Sequence, residues 1–190
     1  MNEELSKDQQ KFLLKLARET IKHYLETGEH IPFKTDENVL KEKRGAFVTI
    51  KKDGQLRGCI GYPIPYLPLY KTIIEASVMA AFKDPRFPPI QKKELPAVDI
   101  EISVLSLPQK VEDASEVKVG KHGIIVSRGA NSGLLLPQVP LEWEWDLGTY
   151  LKHGCLKAGL EEDALNKGAE IKTFTAQVFS EQHFNLPKIK

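Results

Sequence analysis

The densest chemistry in this chain lies in Leu56-Arg57-Gly58-Cys59-Ile60-Gly61, where one of only two cysteines stands between two glycines and two positions from an arginine. The thiolate is the reactive form of cysteine, and a neighbouring guanidinium favours it. Arg57 and Cys59 are therefore the candidate catalytic pair, with Cys59 as nucleophile or redox thiol. The structural alternative is a small buried residue whose glycine neighbours let a helix pack close, and the residues leave both open. Asp84 and Arg86 are brought together by the Asp-Pro turn of DPRFPP, giving a carboxylate beside a cation that can hold an anionic group. Glu101 is the candidate partner of Arg57, because a partly buried arginine needs a carboxylate or several carbonyls to offset its desolvation. Gln138, beside Pro137, offers an amide to backbone or ligand. Trp145, two positions after Trp143 in an extended segment, offers a ring that stacks on a flat ligand or packs in a lobe. Glu142 and Glu144 flank these rings and are candidates to pair with Arg86 or Arg128.

Histidines and the second cysteine add less. Cys155 follows His153 by two positions on a predicted helix, which turns the two side chains to different faces and makes Cys155 a structural thiol. Neither cysteine belongs to a C-x-x-C signature, and no metal site is predicted. His122 opens a strand, as a solvated residue or a general base.

The elements that must position these groups can be read around them. Asp53-Gly54 between apolar runs marks a two-residue type I′ hairpin turn. It pairs Lys52 with Gln55, Ile50 with Arg57 and Val48 with Cys59, and so puts Arg57 and Cys59 on one face. Ser6 and Gln9 form a capping box at the head of a helix whose apolar stripe runs from Leu13 to Leu25 and stops at Gly28. A polar connection follows to Arg44. Three prolines in YPIPYLP lead into a second helix from Leu69 to Ala81, ended by Asp84-Pro85. Val98 to Leu105 alternates as a half-buried strand. Gly123–Ser127 and Leu134–Val139 read as a hairpin around RGANSG. Asp146 caps a helix that presents Leu147, Tyr150, Leu151 and Leu156 on one side and ends at Gly159. Ile171 to Phe179 reads as the last strand, and SEQHFNLPKIK as a polar tail. The layout is α+β: a mixed or antiparallel sheet with hairpins, packed by helices.

Composition limits the function classes. The chain of 190 residues carries 27 basic and 26 acidic side chains, a net charge of +1. No global field draws it to nucleic acid or an anionic membrane. The N-terminal MNEELSKDQQK lacks the apolar core of a signal peptide and no run reaches spanning length, so a cytoplasmic protein with reduced thiols and no membrane partner is expected. The residues name no cofactor.

In order along the chain, LRGCIG, AFKDPRFPPI, EISVLS, HGIIVSRGANSGLLLPQV and WDLGTYLKHGCLKAGL resemble the AMMECR domain family, of the prokaryotic AmmeMemoRadiSam system protein A type. The resemblance spans nearly the whole chain as a single domain over residues 1–190. It implies a compact α+β body with a smaller peripheral lobe and an intervening cleft. It carries a signature onto Leu56 to Gly61, Asp84 to Phe87, Pro137, Gln138, Trp145, Cys155 and Lys157 to Gly159. Such domains stand beside, or fused to, Memo-type and radical SAM proteins, which implies these as partners. Three functions follow as expectations: an enzyme acting on a small molecule or peptide at Cys59 and Arg57, a non-catalytic scaffold, and a nucleic-acid-binding regulator, the last disfavoured by the charge.

Overall fold

A computed structural model describes residues 4–187 as two compact units, one taking the chain to Leu105 and again from Gln177, the other spanning Ser106–Ala176. In the first unit, helix α1 (Lys7–Thr27) starts at the Ser6–Gln9 capping box and ends on Gly28 at φ 75. It buries Leu13, Leu14, Ala17 and Ile21. The polar connection contains one short helix, α2 (Asn38–Lys41), which buries Val39 and Leu40. Strands β1 (Ala46–Lys52) and β2 (Gln55–Tyr62) follow, joined at Asp53 and Gly54, both at positive φ as a type I′ turn requires. Helix α3 (Leu69–Val78) runs into a π-helical turn (Met79–Lys83), which stops before Asp84 in the extended region. Strand β3 (Val98–Leu105) buries Val98, Ile100, Ile102 and Val104 on its core side.

The second unit contains β4 (Gln109–Lys110), β5 (Gly123–Arg128), β6 (Asn131–Leu135), the short α4 (Val139–Glu142), α5 (Leu147–Lys157) and β7 (Glu170–Phe174). Its sheet has the order β4-β7-β5-β6, with antiparallel neighbours. Ile124, Val126, Tyr150, Cys155 and Ile171 form its core, so Cys155 is a packing thiol. The chain then returns to the first unit as β8 (Ala176–Ser180) and α6 (Glu181–Phe184), giving a sheet of order β2-β1-β3-β8. Helices with antiparallel, hairpin-built sheets make the fold α+β.

Four expectations change. The hairpin tip is only Gly129-Ala130, β6 begins at Asn131 and stops at Leu135, and the chain beyond it turns into α4 rather than continuing as strand to Val139. Leu156 is 48% exposed, and α5 buries Gly154 and Cys155 beside the expected Tyr150. The run Ile171 to Phe179 is two strands in two sheets. It breaks at Thr175, whose N–H donates to Ser106 Oγ and whose carbonyl accepts the Ser106 N–H, both at 2.9 Å. The expected tail folds as far as it is described: Ser180 caps α6, and Glu181 is buried against Arg18. Lys188–Lys190 lie outside the described residues.

Candidate functional site

The hairpin turn pairs Lys52 with Gln55 as expected, but a β-bulge between Ile50 and Lys51 inserts Arg57 as an extra residue on β2. Beyond it Ile50 faces Gly58 and Thr49 faces Cys59, one step from the expected register. A single inserted residue moves every later side chain to the other face. Arg57 goes to the side of Lys52, and both reach Glu94. Cys59 goes with Thr49 to the opposite face, so Arg57 and Cys59 do not stand side by side. Gly58 turns inward, where a Cβ would lie 2.1 Å from the Ala80 carbonyl oxygen. The π-helical turn therefore rests directly on the β2 backbone, and only glycine leaves room for it.

β2 is an edge strand, and at Cys59 its outer hydrogen-bonding groups are taken by side chains. The Cys59 N–H donates to Asp84 Oδ2 at 2.9 Å, and the Arg86 guanidinium donates to the Cys59 carbonyl at 3.1 Å. Arg86 closes the loop on itself, donating to Asp84 from its own N–H at 3.1 Å, from Nε at 2.9 Å and from Nη2 at 2.7 Å. Asp84 is buried, and the Arg86 guanidinium, helped by the Cys59 N–H and acting against burial, holds its carboxyl well below the usual range. The pair LRGCIG and DPRF is thus one device, a clip that fixes the Cys59 backbone from outside.

Both outward groups of Cys59 being used this way makes Cys59 and Thr49 a non-hydrogen-bonded pair, the kind in which side chains stand closest. Thr49 Oγ1 is 3.1 Å from Cys59 Sγ. Across β1, Thr49 faces Glu101 on β3, which pairs with Lys51 at 2.9 Å. The half-buried thiol thus belongs to a polar group, Cys59, Thr49, Glu101 and Lys51, on one face of the sheet. Glu101 is not the partner of Arg57, because Glu101 lies in the Thr49 row while Arg57 stands on the opposite face with Lys52.

Arg57 meets Glu94 through Nε at 3.2 Å and Nη2 at 3.1 Å, and donates from Nη1 to the Pro88 carbonyl at 2.9 Å. The Arg57 hydrogen bonds, with the Gln91 N–H and Lys52 adding and burial opposing, pull the Glu94 carboxyl from 4.5 to about 2. A lowered folded value means that stabilisation is complete above the ordinary carboxylate range and is lost as pH falls from 4.5 towards 2. Glu94→Gln is expected to cost about 2–3 kcal/mol at neutral pH and to flatten the acid limb of the stability profile. Urea unfolding across a pH series measures both, and an unchanged acid limb would contradict the assignment.

Gln138 and Trp145 lie in the second unit. Gln138 is the N-cap of α4, its carbonyl accepting the Leu141 and Glu142 N–H groups. Trp145 stacks on His153, with ring centroids 3.9 Å apart, and on Trp143 at 6.3 Å. Trp143 and Trp145 follow α4 across a turn with Glu144 at φ 53, so the two rings do not sit on one face of an extended segment. Arg128 pairs with Glu161 and Arg86 with Asp84, so Glu142 and Glu144 serve neither. His122 Nδ1 accepts the Lys118 N–H at 3.3 Å, and burial with the charges of Lys121 and Lys118 holds its pKa below the ordinary value. Among the described residues no group of three or more His, Cys, Asp or Glu could hold a metal, and no helix is long and apolar enough to cross a membrane.

Comparison with known proteins bears on the whole chain. The family model AMMECR1 matches residues 14–179. A protein of Methanopyrus kandleri is 49% identical over 96% of this chain and 93% of its own length. One of Nanoarchaeum equitans is 48% identical over 89% and 98%. The crystal structure of an uncharacterised protein from Pyrococcus horikoshii is similar with a TM-score of 0.79 at 43% identity, covering 90% of each chain.

Proposed function

The chain belongs to the AMMECR1 family, and from that premise we propose that it is a thiol-dependent protein acting on a small molecule or peptide at the face bearing Cys59, Thr49, Glu101 and Lys51. In this reading Cys59 Sγ is the nucleophile, Thr49 Oγ1 orients it, Lys51 meets an anionic group of the ligand, and Glu101 is the carboxylate that the strand register sets in the same row. Arg86, 53% exposed while its buried partner Asp84 is spent on the clip, offers a second cation. Arg57 supports the loop after the clip rather than the thiol. Memo-type and radical SAM proteins, implied by the family resemblance, are the partners to test by co-purification.

The observation that carries the reading is the double restraint on Cys59. Its N–H and C=O are held by Asp84 and Arg86 while Thr49 contacts its sulfur. A reacting group held from both sides is pre-organised, which a packing cysteine does not require. A scaffold reading has its own support, since covering an edge strand prevents unwanted pairing and would account for the clip alone. Iodoacetamide labelling of the native protein, read by peptide mass, separates the two. Cys59 is expected to label at least about tenfold faster than the fully buried Cys155, and Thr49→Val to change the Cys59 rate. A Cys59 that labels only on unfolding would leave LRGCIG as a packing element.

A further inference from the structure

The second unit carries an aromatic ladder whose outer ring, Trp143, stands in solvent and whose inner ring, Trp145, packs on the core. Trp143 is 67% exposed, its ring 6.3 Å from that of Trp145 and inclined at 22°, and Trp145 lies at 7° on His153. The backbone keeps it there. Glu144 takes a left-handed φ of 53, the Trp143 N–H reaches the Val139 carbonyl at 3.3 Å, and the Trp145 N–H reaches the Pro140 carbonyl at 2.8 Å. With the Glu144 N–H on the Leu141 carbonyl, these bonds are the left-handed turn that ends α4, and they fix both indoles on an ordered loop. Leu141, 60% exposed, adds apolar area next to the rings in sequence. A large exposed apolar group on an ordered loop is the informative exception to burial.

The charge around the ladder selects what it fits. From Leu141 to Asp146 the chain carries three carboxylates and no cation, with Lys152 acting on Asp146 and Leu141 resting on Gly120 next to Lys121 at the rim. Glu142 and Glu144 are exposed, and Asp146 is kept ionised by the Thr149 N–H it caps. Carboxylates beside an indole repel a phosphate backbone or an anionic lipid and attract a cation. Arginine answers both features, because its planar guanidinium stacks on an aromatic face and pairs with carboxylates.

We propose that the Trp143 ladder is a docking surface for an arginine-bearing segment of another protein, the guanidinium stacking on Trp143 with Glu142 and Glu144 as counter-charge. The test uses the full chain and a fluorescein-labelled peptide of alternating arginine and glycine, read by anisotropy and by quenching of tryptophan emission. The arginine peptide is expected to bind, its lysine counterpart more weakly, and its glutamate counterpart not at all. Trp143→Ala should weaken binding about tenfold, with unchanged circular dichroism. Glu142→Lys, which leaves the rings in place, should weaken it by a similar factor. Equal binding by wild type and both variants would overturn the proposal. So would Trp143-dependent binding of a single-stranded oligonucleotide, or Trp143-dependent self-association in sedimentation without peptide binding.

Discussion

Glu181→Ala is expected to cost about 3–5 kcal/mol, the range for breaking a buried ion pair from one side. Arg18 and Glu181 are 2% and 3% exposed and joined by two hydrogen bonds, one from Nε and one from Nη2 at 2.5 Å. The guanidinium also donates to the Leu95 carbonyl at 2.8 Å and the Val98 carbonyl at 2.9 Å, while Glu181 accepts the Ile100 N–H at 2.9 Å. The pair therefore ties α1, β3 and α6 together at one point. Removing the carboxylate strands a cation in the core and leaves a strand N–H without its acceptor. Urea unfolding measures the loss, and a cost below about 1 kcal/mol would contradict the burial argument. Replacing Arg18 and Glu181 together by Met and Leu should cost much less than the two single changes summed, since the penalty lies in the uncompensated charge.

That pair also marks a limit of local reading. Arg18 falls at helical spacing from Leu14 and Ile21, on the apolar stripe itself, which was a visible signal of a buried cation. Its partner, 163 residues away, sits in a stretch whose polarity and proline read as a tail. The capping box, the Asp53-Gly54 turn, the Asp84 helix stop and the cap at Asp146 were legible because each depends on a few neighbouring residues. The bulge was not, because inserting Arg57 leaves the composition and β-propensity of the strand unchanged. Gly58 within the strand was the available sign, since an interior glycine marks a bulge or a close backbone approach, and here it marks both. One unread bulge was enough to misplace Cys59 relative to Arg57, whereas Glu101, in the Thr49 row of β3, stands on the other face from Arg57 in either register. The break at Thr175 was equally hidden, because Ile171 to Phe179 contains no glycine, proline or other turn signal and the sheet change depends on Ser106, far away in sequence. Asp84 and Arg86 meet as their spacing predicts, but Arg57 does not stand beside Cys59 and Glu101 does not pair with Arg57. Asp84, Arg86 and Cys59 meet, and Arg57 belongs with Glu94.

Asp84→Ala is expected to cost about 2–4 kcal/mol, because the Cys59 N–H loses its acceptor and Arg86 its charged hydrogen bonds while the half-exposed guanidinium stays in water, and its second consequence bears on function. Asp84 accepts from the Cys59 N–H, the Arg86 N–H and the Arg86 guanidinium. Without it the guanidinium loses the carboxylate that orients it towards the Cys59 carbonyl, and the edge of β2 is freed at that residue. Asp84→Asn keeps one acceptor and the shape but removes the charge, so it should cost less, about 1–3 kcal/mol. The sign of the pH dependence follows from the lowered carboxyl of Asp84. The clip contributes fully above the ordinary aspartate range and is lost only as pH falls through the lower folded value, so the gap between wild type and Asp84→Ala should persist through mild acid and close in strong acid. Cys59 labelling then distinguishes two roles for the clip. If it only covers the edge, Asp84→Ala should raise the iodoacetamide rate at Cys59, because the freed strand exposes the thiol. If it holds the thiol in a reactive geometry, the rate under folding conditions should fall despite the looser strand. The proposed function requires the second result, and the first, with the fold intact by circular dichroism, would reduce the clip to edge protection.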